Sequence, residues 1–189
     1  MRIIGGKLRG TNLYMSKKGN TRPLKDRARE SIFNLLIHSN KISINMEQSN
    51  ILDLYAGTGS FGLECLSRQA KYVCFIENEK AAFKILNKNI EKLKIQEKTK
   101  TFFSDVFHLI EKNHISPDKF DIIFCDPPFK NTNLEDLITL ISKKNLLKKN
   151  GIIILHRNKA QKEKLPDFFA TIDKRVYGVS KIIFGKLLS

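Results

Sequence analysis

From Asn50 onward the chain alternates between short β-rich apolar runs and stretches of helical periodicity, and this alternation restricts the fold more than any other feature. Strands are expected at 51–55, 72–77, 100–104, 120–126 and 151–156, and helices at 60–68, 79–93, 105–112 and 133–144. Neighbouring parallel strands need a crossover between them, so strand–helix alternation gives a parallel, doubly wound α/β sheet with both faces covered. Two further strand-like runs, 168–177 and 180–187, flank Gly178 and are expected to close the sheet as an antiparallel hairpin. Ahead of the alternation, residues 1–22 are short apolar pieces broken by Gly5-Gly6, Gly10 and Gly19-Asn20, which suits a small hairpin or extended arm. Pro23 then opens a helix through about Leu36. The expected organisation is a basic arm and helix over 1–46 and a single sheet domain over 47–189; 189 residues suffice for one such core.

In open sheets of this kind ligands bind beyond the carboxyl ends of the strands, and DLYAGTGSFG (53–62) lies there, between the first strand and its helix. Gly57, Gly59 and Gly62 have the spacing of a dinucleotide loop. Glu77 ends the second strand, where an acid can accept hydrogen bonds from both hydroxyls of an adenosine ribose. NAD and S-adenosylmethionine both fit that far. Asp53 separates them. A carboxylate beside a pyrophosphate is unfavourable by on the order of a kcal/mol even at an effective dielectric near 20. Beside an ammonium and a sulfonium it is favourable. Asp53 is therefore read as supporting the methionine end, with a loop-anchoring role as the alternative. Asp105 either accepts from the adenine amino group or caps the following helix together with Ser104. The candidate cofactor set is Asp53, Tyr55, Ala56, Gly57, Thr58, Gly59, Glu77, Asn78, Asp105 and Val106.

FDIIFCDPPF (120–129) carries the reaction. A buried strand runs into Asp126-Pro127-Pro128-Phe129, and the two prolines remove two donors and lock the backbone. What remains is a carboxylate and outward carbonyls, acceptors suited to a substrate that only donates, such as the exocyclic amino group of a base. Acceptors holding its hydrogens favour a pyramidal nitrogen whose lone pair points at the methyl carbon, and Phe129 can stack on the ring. The candidate catalytic residues are these four, Asp126, Pro127, Pro128 and Phe129. Strand alternation points Cys125 away from Asp126, so it reads as core, as do Cys65 and Cys74. The four histidines show no metal-ligand spacing, and no metal is expected.

The charge names the partner class. Thirty-four Lys+Arg against nineteen Asp+Glu leave +15, and residues 1–30 alone hold nine Lys/Arg. A nucleic acid is the expected partner. No apolar run approaches the ~20 residues of a membrane helix, and three cysteines without C-x-x-C spacing suit a reducing, cytoplasmic setting.

With these residues in hand the chain resembles the RsmD family, bacterial methyltransferases acting on the 2-amino group of a guanine in 16S rRNA. The resemblance runs nearly end to end, through RIIGGKLRG, TRPLKDRARESIFNLL (21–36), DLYAGTGSFGLECLSRQA (53–70), IENE (76–79), DPPF and RVYGVSKIIF (175–184). It implies a Rossmann-like class I S-adenosylmethionine-dependent methyltransferase sheet and guanine of the small-subunit rRNA as acceptor. It also suggests that the N-terminal arm meets the RNA, which agrees with the arm's own charge. Arg22, Arg27 and Arg29, with Lys7 and Arg9, are expected to anchor phosphates, while Asp26 and Glu30 are expected to pair with neighbouring arginines and make some of these charges structural. The substrate is expected within a 30S particle or assembly intermediate and the protein as a monomer. Leu24-Lys25 stands where the family commonly has threonine, and His156-Arg157 where an acid is usual; neither belongs to the inferred catalytic set. The alternatives are an amino-methyltransferase for adenine or cytosine in DNA and a non-catalytic ribosome-assembly factor. An NAD-linked enzyme is the weakest alternative, on charge.

Overall fold

The computed structural model describes residues 1–15, 26–42, 44–115, 118–128 and 133–188. Pro23, Leu24-Lys25, Arg22 and Phe129 lie outside the described residues. Seven strands form one sheet: β1 (Asn50–Leu54), β2 (Tyr72–Glu77), β3 (Thr99–Phe103), β4 (Phe120–Cys125), β5 (Leu147–Asn158), β6 (Phe169–Tyr177) and β7 (Ser180–Leu187). Their order across the sheet is β3-β2-β1-β4-β5-β7-β6. The first five are parallel, while β7 runs antiparallel to both β5 and β6. The helices are α1 (Asp26–His38), α2 (Ser60–Ser67), α3 (Lys80–Leu93), α4 (Val106–Glu111) and α5 (Leu134–Lys143). The doubly wound sheet and its closing hairpin are as the sequence implies.

β5 is the exception in extent. It begins at Leu147, four residues before the expected start, because Lys148-Lys149-Asn150 reads as a turn. Those side chains are partly or fully exposed while the backbone already follows β4, with Phe120 paired to Leu147.

Strand alternation divides the core into two layers. Ile51, Phe75, Ile122, Phe124 and Ile154 face one side, packed with α1, α2, α3 and the arm residues Ile3 and Leu13. Leu52, Leu54, Ile76, Ile123, Cys125 and Leu155 face the other, under α4 and α5. Burial on both faces explains why the central strands are continuous apolar runs. On the first side a ladder of rings ties α1 to the sheet: Phe33 stacks on Phe61 at 5.5 Å, and Phe61 on Phe124 at 4.1 Å.

The arm is bound, not free. Arg2 bridges Asn12, and the turn between them seats on the end of α2. Lys7 N–H donates to the Ser67 carbonyl at 2.7 Å, Leu8 N–H to Ser67 Oγ at 3.0 Å, and Ile4 N–H to Glu64 Oε2 at 2.8 Å. These donors satisfy acceptors at a helix C-terminus that would otherwise need water. Gly6, at φ 75°, would place a Cβ 2.0 Å from the Ser67 carbonyl oxygen. That close approach is the reason for glycine in RIIGGKLRG.

Candidate active site

The sheet brings four side chains of one parity to its carboxyl edge. Register pairs Asp53 with Phe75 of β2 and with Phe124 of β4. Two residues on from each partner stand Glu77 and Asp126, and two beyond Ile154 of β5 stands His156. All four therefore leave the sheet on the α2 side, which the sequence parity already dictates.

Around Asp53 the glycine loop closes tightly. Tyr55 sits at φ 60°, a left-handed conformation costing a non-glycine residue on the order of 1 kcal/mol. Gly57 and Gly59 follow at 57° and 89°. A Cβ at Gly57 would meet nothing within 4 Å, so its surroundings are open. One at Gly62 would lie 2.3 Å from the Phe75 ring, so this third glycine serves helix–sheet packing. Asp53 is 1% exposed and its Oδ2 accepts from Gly62 N–H at 3.0 Å, which realises the loop-anchoring alternative without excluding a ligand. Burial raises its carboxyl well above the ordinary range, the Gly62 bond opposes this, and Asp126 and Glu77 push it higher.

Glu77 is held from two sides. Its Oε2 accepts from Gly57 N–H and its Oε1 from Glu79 N–H, both at 2.6 Å. Asn78 is exposed beside it. Asn89, wholly buried in α3, donates to the Thr58 carbonyl at 3.1 Å and also exchanges hydrogen bonds with the Tyr14 backbone. It couples the loop to the arm. Asn89 belongs to no motif, and its one signal in the sequence is an asparagine within the apolar stripe of α3. Asp105 accepts from His108 N–H at 3.1 Å and so caps α4, the second of its two readings. Val106 is buried at the start of that helix.

At the tip of β4, Asp126 Oδ1 lies 2.8 Å from His156 Nδ1, and His156 Nε2 lies 2.9 Å from Ser180 Oγ. His156 is 3% exposed. Arg157, equally buried, brings Nη1 to 3.5 Å from the carbonyls of both Pro127 and Pro128. Behind it Glu163 lies 3.5 Å from Arg157 Nε and pairs with Lys181. The pair set aside at the sequence level thus touches the acceptor turn directly. Pro127 is buried and Pro128 exposed.

Cys65, Cys74 and Cys125 are buried, and burial pushes each thiol up, that of Cys74 to about 12. Among the described residues no group of three or more His, Cys, Asp or Glu could hold a metal ion. No described helix is long and apolar enough to cross a membrane.

Of the expected RNA anchors, Lys7, Arg9 and Arg27 are exposed. Arg29 is not. It is fully buried, donating to the Arg2 carbonyl at 2.6 Å and to Asp26 at 2.9 Å, with Glu64 at 3.8 Å. Its place is on the inward face of α1, next to Ala28 and one turn from Phe33, so it joins arm to helix and cannot reach a phosphate.

The strand order and the glycine loop at its carboxyl edge place the chain in the Rossmann-like methyltransferase class. The solved structure of the yhhF protein of Escherichia coli superposes with a TM-score of 0.84 at 27% identity, covering 100% of this chain and 98% of that one. The chain belongs to the RsmD family. A family model described as conserved hypothetical protein 95 matches residues 1–186. The ribosomal RNA small subunit methyltransferase D of Haemophilus influenzae is 33% identical over 95% of this chain and 90% of its own length. That of E. coli K12 is 33% identical over 81% and 72%.

Proposed function

We propose that the protein transfers a methyl group from S-adenosyl-L-methionine to the 2-amino group of a guanine in 16S rRNA, within a 30S particle or an assembly intermediate. It does so as a cytoplasmic monomer. The observation that carries the donor is the convergence of Asp53, Glu77 and Asp126 on one edge, with Asp53 buried and, among the described residues, without a cationic partner there. Glu77 and Asp126 disfavour a pyrophosphate and attract a sulfonium and an ammonium, and the buried Asp53 favours a cation further because a cation stabilises its ionised form. Asp53 and the 55–59 backbone hold the methionine end. Glu77 takes the ribose, since two of its roughly four lone-pair sites remain after Gly57 and Glu79. Asn78, Asp105 and Val106 border the adenine. The donor supplies an electrophilic methyl group.

The acceptor turn does the rest. With Oδ1 held by His156, Asp126 offers Oδ2 to the target amino group, and the Pro127 carbonyl offers a second oxygen. His156 is a positioning residue: its ring fixes which carboxylate oxygen faces the substrate. Arg157 holds the two proline carbonyls from behind. Phe129 stacks on the base, which is flipped out of its helix to reach the edge. After transfer the nitrogen gives up one proton to Asp126 or to water. Lys7, Arg9, Arg22 and Arg27 anchor phosphates in the arm.

The test incubates the protein and labelled donor with 30S particles lacking base modifications and maps the labelled nucleotide by mass spectrometry. Label on a guanine N2 of 16S rRNA is expected. Label on adenine, or in DNA offered in parallel, overturns the substrate. Tighter calorimetric binding of NAD than of S-adenosylmethionine overturns the donor.

A further inference from the structure

The outer face of α3 is predominantly basic, with Glu91 its one acid, at the far end. Residues 80–100 hold seven lysines against two glutamates. Lys80, Lys84 and Lys88 stand at intervals of four, on the side of α3 opposite its buried stripe of Ala82, Leu86, Asn89 and Ile90. Four residues rise about 6 Å along a helix, so the ammonium groups form an evenly spaced ladder. No acid interrupts it before Glu91. A solubilising helix face mixes signs throughout, with acids three or four residues from lysines; here that spacing occurs only at the far end, between Lys88 and Glu91.

Beside the ladder an open groove of about 440 Å³ runs between α3 and the edge strand β3. Its floor is aromatic: Phe83 meets Phe103 at 5.3 Å in a tilted pair. Phe103 is 54% exposed, on the outermost strand of the sheet. A large ring kept in water beside three lysines is the pairing that single-stranded nucleic acid uses, a stacking surface with a cationic rail.

The lysine row, though not the groove itself, also reaches the arm. Lys92, one step beyond Lys88, donates to the Asn12 carbonyl at 2.7 Å and lies 4.7 Å above the Tyr14 ring. Tyr14 is 51% exposed. At its other end the ladder starts at Lys80, three residues past Glu77 and the carboxyl edge. We infer that α3, Phe103 and Tyr14 form a second RNA-contact surface, a track from arm to rim that takes a single-stranded segment flanking the target. Phosphates lie on Lys80, Lys84 and Lys88, and an unpaired base stacks on Phe103. Duplex RNA cannot use the track in this way, because its bases present no free face. The inference rests on the reading that the substrate is RNA.

The experiment measures binding of a fluorescein-labelled single-stranded oligoribonucleotide of about twelve nucleotides, and of the same strand annealed to its complement, at several salt concentrations. Phe103→Ala is expected to weaken the single strand about tenfold and leave the duplex unchanged. Lys84→Gln with Lys88→Gln is expected to lower the salt slope on the single strand by about 1.4. Donor affinity stays at the wild-type value in both; the melting temperature is unchanged in the lysine variant, whose side chains are exposed, and falls slightly in Phe103→Ala, which loses the contact with Phe83. Unchanged single-strand affinity in both variants overturns the track. So does equal loss on duplex, or a wild-type protein that does not bind the single strand. A track that behaves as expected in a protein that methylates no 16S guanine leaves this inference standing and removes the proposed reaction.

Discussion

Replacing His156 by alanine should slow methyl transfer about tenfold while leaving donor affinity where it is. The magnitude follows from one contact. His156 Nδ1 to Asp126 Oδ1 is 2.8 Å, and the ring is 3% exposed. A hydrogen bond to a charged group contributes about 1.5–3 kcal/mol. The Asp126 side chain is 24% exposed, so water can partly replace the lost donor, and the low end of that range is appropriate. About 1.4 kcal/mol in the barrier is tenfold in rate. The assay is single-turnover transfer at saturating donor and substrate, in His156→Ala, His156→Asn, Asp126→Ala and the double variant with alanine at both positions. Asparagine can place an amide N–H near the Nδ1 position and should recover most of the rate. In the Asp126→Ala background, removing His156 should add almost nothing, because a residue acting only through Asp126 has nothing left to position. An equal loss in both backgrounds would make His156 a general structural residue and refute the reasoning.

Asp53 should make donor binding pH-dependent if it holds the methionine end as proposed. Its carboxyl is raised in the free fold, so a bound cation that favours the carboxylate expels a proton, and donor affinity should rise with pH until Asp53 ionises unaided; calorimetry in buffers of different ionisation enthalpy checks this. The same group binds its proton more tightly folded than unfolded. Its contribution is therefore whole below the unfolded carboxyl pKa near 4 and is lost as pH rises through the raised folded value. Asp53→Asn should flatten that decline in urea titrations while abolishing the pH dependence of donor affinity. Gly62→Ala, with a Cβ 2.3 Å from the Phe75 ring, should destabilise by about 1–3 kcal/mol in chemical denaturation. Arg29→Met should lower the melting temperature yet leave the salt slope of RNA binding unchanged, whereas Arg9→Gln should lower that slope by about one with no change in melting.

The fold was legible because its signals are local. Each central strand is a short apolar run closed by a breaker, and burial on both faces makes such runs unmistakable in order if not in length. β5 lost its first four residues to the sequence reading because Lys148, Lys149 and Asn150 are polar, and polarity there reports exposure at the sheet's lower rim instead of a turn. Arg29 failed for the converse reason. An arginine in a basic segment reads as solvent-facing, and only the docking of Arg2 and Glu64 against α1 reveals that this one is enclosed.

The candidate site divides along the same line. Asp53, Glu77 and Asp126 were readable because each stands at a strand end within a motif, and parity alone sends all three to one side. His156 and Arg157 belong to no motif, and what they touch is fixed by register. The β4–β5 pairing of Cys125 with Leu155 sets position 156 next to position 126, and the β5–β7 pairing of His156 with Ile182 brings Ser180 within reach of the ring. A one-residue slip in the β4–β5 ladder would send the imidazole to the opposite face, against Leu155's neighbours and away from Asp126, and one in the β5–β7 ladder would turn Ser180 away from the ring. The same register explains how a basic pair can stand where the family usually has an acid. A histidine there can donate to Asp126 and draw on Ser180 behind it, and an arginine can serve two proline carbonyls that have no backbone donors of their own. On the proposed mechanism the turn works by holding its acceptors still, and a cationic or neutral donor can hold them where a second carboxylate would repel Asp126.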